Sequence, residues 1–294
     1  MPDDAPSPEL ARTAWSALEP IHIPVYFAPE ARERYAAIGL DDRALAYFAS
    51  RSAAMGAVDP GTVTAAFYSF SPALVGSAIP RAWSLAAPET VLRTRLDVAD
   101  QVLRRVLGED AVGSERMKEA AGLARTAAEA AAGLTPGRPL FAGHAGLEWP
   151  GEPHTVLWHA ATLLREFRGD GHIATLVDAR LAPLEALATH AATGAMKTSF
   201  LRRSRGWSEE EWAEGIRGAV GRGLVTADPE GALALTEAGR TLRADLETRT
   251  DVLSAGPYAA IGARGCERLA ELTAPFAEAF RAEGLVPGSR SRRA

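Results

Sequence analysis

Five of the six histidines in this 294-residue chain, His144, His154, His159, His172 and His190, fall within a single stretch. His159 and Glu166 stand seven positions apart, which on a helix puts them on one face, two turns from each other. Arg165 and Arg168 flank that face. Arg168-Gly169-Asp170-Gly171 reads as a hinge loop, with a new helix starting near His172. Imidazole, carboxylate and guanidinium groups would therefore meet at one corner.

Three kinds of chemistry compete for that corner. An imidazole titrates near neutral pH and a carboxylate can orient it, so His159 or His172 with Glu166 or Asp170 forms a candidate catalytic acid–base pair. Arg165 or Arg168 would then anchor an anion. His159, Glu166 and His172 also supply the two-histidine, one-carboxylate set used for non-haem iron. The HExxH-type spacing that makes such a set specific is missing, so no metal is assigned and no cofactor is named. The third possibility is structural: Arg165, Glu166, Arg168 and Asp170 as a salt-bridged corner between helices, and His172 as a cap or core residue.

An opposite wall is available in the first half of the chain. HIPVYF at 22–27 and AAFYSFSP at 65–72 concentrate aromatic residues. His22, Tyr26 and Tyr68 are the candidate ligand-binding residues there, facing Arg165 and Arg168, because clefts between domains favour small-molecule sites. An ordinary aromatic core is the plainer alternative. No G-x-S-x-G elbow, GxGxxG loop or P-loop occurs. The single cysteine, Cys266, excludes an intramolecular disulfide and a cysteine-based zinc site.

The elements that must position these groups are mainly α-helical, with Gly and Pro as punctuation. Helices are expected over Pro29–Ile38, Asp41–Met55, Asp59–Phe70, Pro72–Trp83, Pro88–Leu107 and Ala111–Gly133. Beyond the TPGRP break at 135–139, they are expected over His154–Phe167, His172–Arg180, Leu184–Thr193 and Met196–Arg203. This pattern predicts two packed helical halves, 20–134 and 140–283. A flexible lead-in over 1–19 and a disordered basic tail over 284–294 would flank them. No apolar run reaches the roughly 18 residues of a membrane span. The acidic, Pro-rich start is not a signal peptide, so the cytoplasm is the natural compartment.

Residues ~185–250 carry the clearest pattern, a winged helix. Ser208 with Glu211 forms a capping box, and Trp212, Ile216, Ala219 and Val220 give the following helix its apolar face. A short strand, a turn at Asp228-Pro229-Glu230-Gly231, a second strand and a helix capped by Thr236 complete the unit. GRGLV…LTEAGR at 221–240 resembles the wing region of MarR-type regulators. LWHAATLLREFRGDGHIATL at 157–176, RGWSEEEW at 205–212 and LTEAGRTLRADLETRTD at 235–251 resemble an uncharacterised actinobacterial family known by its helix-turn-helix domain. That resemblance implies a winged-helix architecture and no particular reaction.

Charge argues against this unit reading DNA. The leading turn of a recognition helix meets bases and phosphates, yet here it carries Glu209, Glu210 and Glu211, with Glu214 one turn on. Asp228 and Glu230 occupy the wing tip, and the chain carries a net charge of −5. Arg202, Arg203 and Arg205 are the DNA-binding candidates of the alternative. The expected function is therefore that of a small-molecule-binding protein and candidate enzyme, with its site between the halves and the winged helix as scaffold. A MarR-like regulator, homodimeric through its terminal helices, is the alternative.

Overall fold

The computed structural model describes residues 5–286. In chain order its helices are α1 (Pro8–His22), α2 (Pro29–Ala37), α3 (Arg43–Ser52), α4 (Pro60–Phe67), α5 (Pro72–Ala78) and α6 (Arg81–Leu85). There follow α7 (Pro88–Leu107), α8 (Glu109–Val112), α9 (Glu115–Ala130), α10 (Pro139–Ala145) and α11 (Pro153–Asp178). The winged helix comprises α12 (Pro183–Ala191), α13 (Thr198–Arg205), α14 (Glu209–Gly221), β1 (Val225–Ala227) and β2 (Leu233–Leu235). The chain ends with α15 (Glu237–Ala255) and α16 (Gly262–Ala282). The protein is thus mainly α with one small antiparallel hairpin, Val225 facing Leu235 and Ala227 facing Leu233.

Side-chain oxygens start many of these helices by accepting from backbone N–H groups that the helix itself leaves unpaired. Asp42 accepts from Ala44 and Leu45, Ser114 from Met117, and Thr236 from Gly239. At α14 the expected capping box forms, with Ser208 and Glu211 satisfying each other's backbone N–H. No described helix is long and apolar enough to cross a membrane.

The lead-in expected over 1–19 is corrected by α1. Ser7 caps it, Pro8 opens it, and Ala11, Ala14, Leu18 and Ile21 form a fully buried stripe at helical spacing. That stripe packs against α16, α11 and α15. The acidic, proline-rich composition describes only the first few residues, and burial decides the rest. Of the basic tail expected over 284–294, Leu285 and Val286 pack against the main core, and residues from 287 onward lie outside those described.

The core runs across the TPGRP break, because α11 packs against α9 and α10 while α16 returns to α1 and α9. One large cluster draws on residues from Ala11 to Phe167 and from Tyr258 to Phe280. The winged helix has smaller cores of its own, one around Leu181, Ala219 and Leu246 and another around Leu187, Leu201 and Trp212. It leaves the body at the end of α11 and returns through α15.

The hinge loop expected at Arg168-Gly169-Asp170-Gly171 does not form. α11 passes straight through it for 26 residues. Glycine costs a helix interior about 1 kcal/mol relative to alanine, which tertiary contacts here outweigh. A Cβ at Gly171 would stand 2.8 Å from Nη1 of Arg138, so the glycine admits that guanidinium. Asp170 accepts the N–H of Phe141 at 2.9 Å, capping the first turn of α10 from the side of α11.

The winged helix is fastened to the body at its helix–helix turn. The backbone N–H of Ser71 donates to the Arg205 carbonyl at 2.8 Å, and Trp207 Nε1 donates to the Ser69 carbonyl at 2.9 Å. Gly206 sits at φ 73°, and a Cβ there would come within 2.5 Å of Leu74 Cβ. Tyr68 Oη donates to the Leu181 carbonyl. These contacts hold Arg205 against the N-terminal part of the body.

Candidate functional site

One face of α11 carries a buried polar stripe of His159, Thr162, Glu166 and Asp170, spaced so that all four project the same way. Its centre is Glu166, which is 1% exposed. Arg51 Nη2 donates to Glu166 at 2.7 Å and Arg165 Nη1 at 3.2 Å. Burial works against ionisation of this carboxyl, but the Arg51 and Arg165 guanidiniums outweigh it and hold the pKa down at about 2. Arg165 also pairs with Glu19 of α1 at 3.0 Å.

A tyrosine-rich wall stands beside this pair. Arg51 Nη1 donates to Tyr47 Oη at 3.1 Å, and the Tyr47 ring lies 5.5 Å from Tyr26 and 5.6 Å from Phe70. Tyr26 Oη meets His22 Nε2 at 3.3 Å and accepts from Arg95 Nη2 at 3.2 Å. His22 Nδ1 meets Thr162 of α11 at 3.0 Å, which closes the ring back to the stripe. Arg95 lies over Trp158 at 4.6 Å, and Arg205 lies over Phe70 at 4.7 Å. Body and winged helix thus contribute to one polar cluster that includes four guanidiniums, those of Arg51, Arg95, Arg165 and Arg205.

The electrostatics of the cluster follow from that excess of cations. Burial raises the Tyr47 hydroxyl, yet Arg51, Arg165 and Arg205 together bring it below the ordinary tyrosine value. Burial lowers Arg205, and Arg51 and Arg165 lower it further by repulsion, with Tyr47 opposing them. His22 is pushed well below the ordinary histidine value, by burial first and then by Arg165, Arg95 and Arg51. His22 is therefore neutral at neutral pH, and arginine carries the positive charge of the cluster.

The residues expected from the sequence divide between this cluster and other places. Glu166, Arg165, His22 and Tyr26 lie in this cluster, linked through Thr162 and through Arg51 and Tyr47. Asp170 lies one turn along the stripe from Glu166, with burial first, then Glu166, pushing its carboxyl up to about 7. His159 packs edge-on against Trp149 at 4.8 Å, and burial lowers it to about 4, which mismatches it to base chemistry at neutral pH. Arg168 and His172 project from the opposite side of α11. Arg168 pairs with Asp251 at 2.7 Å and lies over Trp15, and His172 Nδ1 meets Thr250 at 3.0 Å. Tyr68 serves the Leu181 contact.

The iron-type set of His159, Glu166 and His172 does not converge, and among the described residues no His/Cys/Asp/Glu group is placed to hold a metal ion. Of the DNA candidates, Arg202 pairs with Glu209 at 2.9 Å and Arg205 lies over Phe70, which leaves Arg203 exposed. The exposed side of α14 carries Glu210, Glu211 and Glu214.

Arg51, Tyr47 and Arg95 escape a sequence search built on histidines. Their signal is a charged residue inside an apolar stripe: Arg95 falls at helical spacing with Val91, Val98 and Val102, and Arg51 with Tyr47 and Phe48. An arginine 2% exposed in such a stripe demands partners.

A family model described as a helix-turn-helix family matches residues 11–287, nearly the whole chain. No curated protein and no solved structure matches the sequence.

Proposed function

The chain belongs to this helix-turn-helix family, and we propose that it is a small-molecule-binding protein whose ligand site is the arginine-lined recess between the helical body and the winged helix. The winged helix acts there as a wall. The observation that carries this reading is the placement of Arg205: the last residue of α13 turns inward onto Phe70 and into the field of Arg51, Arg165 and Tyr47. Junctions between structural units, lined by aromatic side chains with a few polar groups, are favoured places for small-molecule sites. The leading turn of α14 offers a DNA polyanion three carboxylates, while the preceding turn is occupied by residues 69–74 of the same chain.

Ligand binding to the folded state alone raises the melting temperature, by an amount that grows with the logarithm of free ligand once it exceeds Kd. A thermal-shift screen over anionic, neutral and cationic small compounds is expected to yield compounds that stabilise the protein. Their effect should be lost in Arg205→Gln while its unliganded melting temperature stays close to that of the parent. Salt-dependent retention of a double-stranded DNA fragment, with no stabilising compound in the screen, would overturn this reading in favour of a DNA-bound regulator.

A further inference from the structure

A second concave place lies beside α11, apart from the arginine cluster. It is a cleft of about 360 Å³ between α4, the turn leading into α10 and the last turns of α11. Ala65, Ala66, Pro139, Ile173, Ala174 and Val177 supply apolar walls. Ala65, Pro139, Ala174 and Val177 are exposed, so the cleft opens to solvent at its rim. Asp170 lines the same cleft while only 3% exposed, and so forms its floor. A mostly apolar hollow of this size, with a polar group set deep in it, has the form of a small-molecule site.

The two oxygens of Asp170 are unequal. Oδ2 accepts the Phe141 N–H at 2.9 Å, whereas Oδ1 is buried with no hydrogen-bond partner. A buried carboxylate oxygen in that state is costly. The guanidiniums around it are committed elsewhere: Arg138 to the Phe167 and Leu253 carbonyls, Arg51 to Glu166. Asp178, at the rim, is the other charged residue of the lining, and it pairs with Arg249. Among the described residues, the lining thus offers two carboxylates and no cationic side chain. What completes Oδ1 is a donor that brings positive charge, because a charge-assisted bond returns most to a buried carboxylate. We infer that this cleft binds a small amine, its ammonium donating to Oδ1 of Asp170 and its hydrocarbon body lying between α4 and α11. The cleft and the arginine cluster are separate sites, so the failure of one reading leaves the other standing.

The ammonium competes with a proton for this carboxyl. Burial raises Asp170 to about 7 and Glu166 adds to the rise, with the Phe141 N–H, Arg138 and Arg51 opposing; α4 contributes only alanines to the lining. Below pH 7 the amine must displace the proton to solvent, so its affinity should fall by about tenfold from pH 8 to pH 6. The test is isothermal titration of the full chain with cyclohexylammonium and its neutral counterpart, cyclohexanol. At pH 8 the amine is expected to bind saturably and at least about tenfold more tightly than the alcohol. Asp170→Asn should weaken the amine to the level of the alcohol. Ala174→Leu, which fills the cleft from an exposed position, should weaken both, and Arg205→Gln should change neither. If Asp170→Asn fails to fold, the pH profile of the parent and Ala174→Leu still decide. Equal binding of amine and alcohol, an affinity unchanged between pH 8 and pH 6, or no binding of the amine would overturn the assignment. Amine binding indifferent to both Asp170→Asn and Ala174→Leu would put the amine elsewhere and overturn it as well.

Discussion

Arg51 and Glu166, 115 positions apart in the sequence, meet at 2.7 Å with Glu166 almost wholly buried. An ion pair so placed contributes little net stability when formed, but removing one partner strands the other. Arg51→Met and Glu166→Gln are each expected to destabilise the fold by about 3–5 kcal/mol, and the double variant by clearly less than their sum. Denaturant unfolding of the four proteins gives the coupling, and additive losses would contradict a paired, desolvated charge. The pH dependence follows from the same pair. The Glu166 carboxyl is held at about 2, below its unfolded value of 4.5. Its contribution is therefore complete above pH 4.5 and is lost as pH falls towards 2. Glu166→Gln should flatten that acid limb.

Asp170 behaves in the opposite sense. Its carboxyl is pushed up to about 7 by burial and by Glu166, against the Phe141 N–H that lowers it. The folded state keeps the proton between the unfolded value near 3.8 and pH 7, where the unfolded chain has released it. Stability from this group is therefore greatest below pH 4 and declines as pH rises to 7. Asp170→Asn keeps an oxygen for the Phe141 N–H and removes the titration. The variant is expected to be more stable than the parent at pH 8 and to lose the decline between pH 4 and 7, read by melting temperature across that range. A parallel pH profile in the two proteins would refute the assignment.

The winged helix and the helical class were legible because their signals are local: a capping box at Ser208, a turn at Asp228–Gly231 and apolar positions at helical spacing. Part of the cluster was legible as well: Arg165 and Glu166 adjoin on one helix, and His22 and Tyr26 stand four positions apart in an aromatic stretch. The error lay in reading glycine pairs and histidines as landmarks. Gly169 and Gly171 suggest a loop by propensity, but the helix persists because Arg138 fills the space that a side chain would take. Histidine crowding suggests catalysis, but burial leaves His144 and His159 neutral. The cations that define the recess come from Arg51 on α3, Arg95 on α7 and Arg205 on α13, and only tertiary packing brings them together.

Gly171 and Gly169 make a contrast within one helix. Arg138 donates to the Phe167 carbonyl and, at 2.9 Å, to the Leu253 carbonyl, so its guanidinium is pinned. A methyl at position 171 would displace it from both acceptors, whereas at position 169 the nearest atom, Glu166 Oε2, is 3.8 Å away. Gly169→Ala is expected to be neutral or stabilising by up to about 1 kcal/mol, the usual gain from alanine in a helix. Gly171→Ala should be destabilising by about 1–3 kcal/mol despite the same gain, through crowding of the pinned guanidinium and loss of its hydrogen bonds. Equal effects of the two substitutions in urea unfolding would show that Arg138 does not depend on Gly171.

The cationic character of the recess can be read directly from Tyr47. Among the five tyrosines of the chain, burial raises Tyr35, Tyr68 and Tyr258, while Arg51, Arg165 and Arg205 draw Tyr47 below the ordinary value. The phenolate absorbance of the folded protein should therefore show Tyr47 ionising before those three as pH rises, and Tyr47→Phe should remove that early step. Arg205→Gln takes one positive charge from the Tyr47 hydroxyl, so the step should move to higher pH without vanishing. An early step untouched by either substitution would mean that the three guanidiniums do not share the field of Tyr47, and the recess would lose the charge on which its ligand chemistry depends.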